Sequence, residues 1–125
     1  MNIRRGSQWQ GLAKVQSDDN FCVFESMTFG LRAGMKLLKN YITGNNATMV
    51  KYDTIRRIVF RWAPPTENAT LKYVDYIYQT TKIHPDERLW WSHKDRIKAI
   101  ARAMCFVESG YNVDDELLES AYHLV

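Results

Sequence analysis

Apolar residues recur at helical spacing in five separate segments of this chain, a pattern that restricts it to a mainly helical domain. In residues 26–42, Met27, Leu31, Gly34 and Leu38 share one stripe, and Gly44 ends it. Residues 53–62 align Ile55, Ile58, Val59 and Trp62 before the stop Pro64-Pro65. Residues 69–81 carry Leu71, Val74, Ile77, Tyr78 and Thr81, with Asn68 as the expected cap and Tyr73 and Tyr76 off the stripe. Residues 93–109 and 113–124 complete the set, with residues 82–91 as a connector. The first 25 residues mix glycine turns with short extended pieces, and Phe21 to Phe24 reads as a strand, so a hairpin or three short strands is expected there. The expected fold is therefore mainly α (α+β), about five helices with a small N-terminal β-hairpin or three-stranded sheet, in one domain over residues 1–125.

The fourth segment carries an anomaly. Ile97, Ala101 and Met104 follow the i, i+4, i+7 series, and the next position on that face is Glu108. A carboxylate turned toward a core is costly unless it is paired or neutralised, and burial raises its pKa. Gly110 ends the helix two residues on, so Glu108 also sits where the helix dipole disfavours an anion. A glutamate kept protonated near neutral pH is what a general acid for glycoside cleavage needs. The competing reading is a slight rotation of the helix that leaves Glu108 at the rim, in water.

With 46% apolar and 13% aromatic residues, 125 residues suffice for one packed core. A net charge of +3 from scattered basic residues suits an anionic polymer such as the bacterial cell wall. It does not form the clustered patch of a nucleic-acid binder. Cys22 and Cys105 lack metal-ligand spacing and read as small core residues of a reducing compartment. His84, His93 and His123 show no such spacing either, and no metal or organic cofactor is expected. The start lacks the apolar stretch of a signal peptide, and no apolar run is long enough to insert in a membrane. Synthesis in the bacterial cytoplasm is expected, with action on the wall after release or as part of a virion.

The segment "VESGYN" resembles the "ESGFN" signature that ends the catalytic helix of lytic transglycosylases and related lysozyme-superfamily enzymes. It also resembles the "LESGWG" of flagellar-type and autolysin glucosaminidases. In those families the glutamate is the catalytic acid, which the resemblance places on Glu108. "FCVFESMTFGLRAGMKLL" is similar to the glucosaminidase strand-to-helix segment with its F-x-V-Y-[DE]-S pattern, which brings Glu25 and Ser26 to the groove. "NATLKYVDYI" resembles their "ATDPNYADKI", whose aromatic lies in the saccharide groove and matches Tyr73. "NIRRGSQWQG" resembles the turn that follows the catalytic helix. Here the glutamate segment comes last rather than first, which implies a circularly permuted lysozyme-like domain. Nearly the whole chain also resembles small phage-associated proteins labelled virion structural proteins.

The resemblance thus implies a monomeric peptidoglycan-cleaving enzyme, a muramidase, glucosaminidase or lytic transglycosylase. Glu108 is its expected general acid, assisted by Glu25 at the strand-to-helix junction. Ser26, Tyr73, Trp9, Asn68 and Ser109 are the expected substrate contacts, while Trp62, on its helical stripe, reads as core. The alternative is a non-enzymatic phage virion component of the same fold, structural or wall-binding.

Overall fold

A computed structural model describes residues 3–14, 16, 27–65 and 69–125. Five helices follow in order: α1 (Met27–Thr43), α2 (Ile55–Trp62), α3 (Thr70–Thr81), α4 (Lys94–Ser109) and α5 (Asp115–His123). Local chemistry sets their ends. The Thr54 hydroxyl accepts from the Arg57 amide and caps α2, satisfying one of the donors a helix start leaves open. Gly110 takes the left-handed conformation at φ 71° and closes α4 through its amide to the Phe106 carbonyl. Gly44 turns the chain at φ 78° just after α1.

Packing follows chain order from α2 onward and departs from it at α1. α2 packs on α3, α3 on α4, α4 on α5, and α5 on α1, so the first helix rests against the last. One hydrophobic cluster joins all five, with Met35, Leu38, Ile55, Ile58, Ile77, Ile97, Met104 and Leu118 fully buried. Each such side chain contributes about 1.5–3 kcal/mol by leaving water. On the outer side, Lys98 reaches Asp115 at 3.0 Å and Glu119 at 2.6 Å, and Lys94 reaches Glu119 at 2.6 Å, tying α5 to α4. Stacking of Trp91 on Tyr122 and the bond from the Tyr122 hydroxyl to the Trp91 carbonyl (2.6 Å) fasten α5 to the preceding loop.

The expected N-terminal hairpin or sheet is corrected. Among the described residues the structure is helical and contains no strand; residues 3–14 run as turn and bend with one-residue bridges at Arg4 and Leu12. The physical reason lies in what the segment packs against. Ile3 is buried at 3% exposure, and Gly11, at φ 80°, lies so close to α1 that a Cβ there would stand 2.1 Å from the Phe29 ring. The segment therefore satisfies its apolar side against helices rather than in a hairpin or sheet. The strand expected at residues 21–24 lies outside the described residues, as does Cys22.

The third helix is rotated from its expected setting. It buries Thr70, Tyr73, Val74 and Ile77 and leaves Leu71 67% exposed. Tyr73 displaces Leu71 from the inner face because that face meets α4 and the end of α2, where a large ring fills the space between them. No helix among the described residues is long and apolar enough to cross a membrane.

Candidate functional site

A cleft of about 890 Å³ opens where the C-terminal ends of α2 and α4 meet the start of α3 and the N-terminal segment. Glu108 lies in it, on the stripe that Ile97, Ala101 and Met104 carry into the core. The indole N–H of Trp62 donates to Glu108 Oε1 at 2.9 Å. α2 delivers this donor because Ile55, Ile58 and Val59 bury the rest of the Trp62 stripe, so the last residue of that face reaches the cleft. Tyr41 of α1 meets the Trp62 ring edge-on at 6.1 Å and holds it from behind.

Tyr73 supports the other side. Its hydroxyl is buried without a normal-length hydrogen bond among the described residues. Burial above all, and then the negative charge of Glu108, push the Tyr73 phenol far above its ordinary range, so it stays protonated. Burial also raises the Tyr41 phenol, an effect that the nearby Arg61 guanidinium opposes. Cys105, one turn before the acid, is a buried thiol whose pKa burial raises, which makes it a poor nucleophile. Tyr76 stacks on Phe106 at 5.8 Å and forms an aromatic shelf at the rim.

The charges in the cleft are uneven. Arg4, Arg5, Arg61 and Lys72 line it, and Glu108 is the sole acid among the described lining residues. Aromatic faces suit the apolar faces of sugar rings, the cations suit an anionic chain, and the held carboxyl can exchange a proton with a bound oxygen. Among the described residues no three His, Cys, Asp or Glu side chains gather as a metal-binding group.

Of the residues singled out in the sequence, the structure brings Glu108, Tyr73 and Trp9 to this one cleft, together with Ser7 of the N-terminal turn. Trp9 Nε1 is buried there and makes no hydrogen bond with a described residue. Ser109 is turned elsewhere: its hydroxyl donates to the Cys105 carbonyl at 2.7 Å and accepts from the Tyr111 amide, closing the helix end. Glu25, Ser26 and Asn68 lie outside the described residues. Trp62, read as core, proves to be the partner of the acid. A tryptophan on a buried stripe needs an acceptor for its N–H, and that requirement was the available signal. Arg61 and Lys72 carried no signal beyond ordinary surface charge.

No established family model matches the chain. It is similar to protein P5 of Pseudoalteromonas phage PM2, with 32% identity over 118 residues, covering 90% of this chain and 68% of the phage protein. That coverage takes in the N-terminal turn or the α4 glutamate segment and most of what lies between, so the resemblance to phage-associated proteins holds at the level of relatedness. The chain belongs to the same family as phage PM2 protein P5.

Proposed function

We propose that the protein cleaves the glycan strand of bacterial peptidoglycan, with Glu108 as the general acid. The observation that carries this reading is the Glu108 carboxyl, held at Oε1 by Trp62 in a cleft walled by aromatic and cationic side chains. With Oε1 fixed as acceptor, Oε2 carries the proton. It delivers that proton to the glycosidic oxygen as the bond from that oxygen to the sugar's anomeric carbon breaks, and the leaving sugar departs as an alcohol. The electron-poor ring is then captured by water or by its own 6-hydroxyl, and the proton released in that capture returns to Glu108. The first route makes a hydrolase, the second a lytic transglycosylase.

The placement of the N-terminal turn beside Glu108 also supports a lysozyme-superfamily site reached with a permuted chain order. The relationship to a phage protein suits a target in the bacterial envelope. Mass analysis of products from purified walls tests the proposal. Reducing-end or anhydro-sugar fragments made by the wild type and absent with Glu108→Gln are expected. Intact walls after prolonged incubation with folded protein would overturn catalysis and leave a wall-binding or structural phage component.

A further inference from the structure

Resting on that reading of the site, we propose that the cleft selects glycan strands that still carry their acidic peptide stems, and that Arg61 and Lys72 read the stem carboxylates. Of the basic residues from α2 to α5, only Arg61, Lys72 and Lys82 make no ion pair among the described residues, and the first two both line the cleft. Elsewhere on these helices the cations are matched: Arg56 by Asp86, Arg57 and Arg88 by Asp53, Arg96 by Glu87, Arg102 by Asp115. Other cations without an ion pair among the described residues, Arg32, Lys36 and Lys51 among them, do not line the cleft; Arg61 and Lys72 are the two that α2 and α3 present to it.

Lys72 is the more telling of the two. Arg61 sits in the last turn of α2, where the helix dipole favours a cation. Lys72 sits in the first turn of α3, where the dipole disfavours one, so its charge gains nothing from its own helix. The Thr70 hydroxyl donates to the Ala63 carbonyl at 2.6 Å and so ties the start of α3 to the end of α2, the two helix ends that carry Lys72 and Arg61. Low-dielectric aromatic walls focus the field of such charges on whatever anion enters. A glycan without stems offers these positions one lactyl carboxylate close to each muramyl ring, whereas each stem carries several carboxylates that reach out beside the sugar chain.

The test measures binding by the Glu108→Gln protein, which cannot turn the ligand over. Soluble wall strands with their stems are compared with the same strands after amidase treatment, which hydrolyses the lactyl amide, releases the stem and frees one lactyl carboxylate on each muramyl residue in place of the several carboxylates of the stem. Stemmed strands should bind about tenfold more tightly at low salt, with the advantage shrinking as salt rises. Adding Arg61→Gln and Lys72→Gln together should erase the difference while melting and circular dichroism stay unchanged, since both side chains are exposed. Equal binding of the two strand types, or a stem preference that survives the double substitution, would overturn the proposal. So would a single-stranded oligonucleotide binding as tightly as stemmed strands, which would mark a non-selective polyanion groove. Wild-type cleavage is measured separately: stem preference without cleavage would sink the proposed catalysis and leave this inference standing.

Discussion

Trp62 and Glu108, 46 residues apart in sequence, are joined by a 2.9 Å hydrogen bond from indole Nε1 to carboxylate Oε1. The bond unites two helix C-termini, where backbone carbonyls make the potential negative and an unsupported carboxylate is disfavoured. A neutral donor with a rigid ring orients the carboxyl without adding a charge that would lock it in the ionised state.

Trp62→Phe keeps the ring and removes the donor. Turnover on walls should fall about 100-fold through misplacement of the acid, with substrate affinity little changed. Stability should drop by about 1 kcal/mol, the usual net worth of one such bond. Steady-state kinetics with denaturant melts of the same samples check both; full activity in the variant would show that the indole does not position the acid.

Glu108→Gln preserves an oxygen acceptor for the Trp62 N–H and loses only the transferable proton. Cleavage should disappear while the melting temperature stays within a few degrees or rises, because the replacement is isosteric and neutral. A turbidity assay alongside calorimetry reads the two quantities. Residual activity near the wild-type level would remove Glu108 from the chemistry.

Stability at acid pH should report the outer charge network. Hydrogen bonds from Lys94 first, then Lys98 and His123, pull Glu119 from its ordinary 4.5 down to about 2. A carboxylate held lower in the folded state than in the unfolded one stabilises the fold fully above the unfolded value. That contribution is lost as pH falls toward the folded value. The melting temperature should therefore decline through the window from about 4.5 to about 2, and Glu119→Gln should flatten that part of the decline. Thermal melts across the pH range would count against this network if wild type and variant ran parallel.

Two glycines with similar backbone angles should respond differently to alanine. Gly110 has φ 71° and open space around a built Cβ, so Gly110→Ala should cost only the left-handed backbone term, about 1 kcal/mol. Gly11 has φ 80° and would drive its Cβ into the root of the Phe29 side chain at 2.1 Å, so Gly11→Ala should cost about 2–4 kcal/mol. Chemical denaturation of the pair provides the comparison, and equal losses would mean that the N-terminal segment does not pack on α1 as described.

Helix positions and ends were readable because they depend on neighbours three and four residues away. The stripes of α1, α2 and α4, the stops at Gly44 and Gly110, and the turning of Glu108 toward the apolar face all follow from that short period. The setting of α3 was not readable, since Leu71 and Tyr73 both fit a helical series and only the shape of the space against α4 chooses the ring. Nor was the fate of residues 3–14, whose mix of glycine turns and short extended pieces suits a hairpin equally well until the flank of α1 offers a better surface. That the Trp62 N–H needs an acceptor was readable, but which residue supplies it was not, for the same reason. A bond spanning 46 residues exists only because the packing of α2 on α3 and of α3 on α4 brings two helix ends together, and side-chain packing between distant segments leaves no periodic trace in the chain.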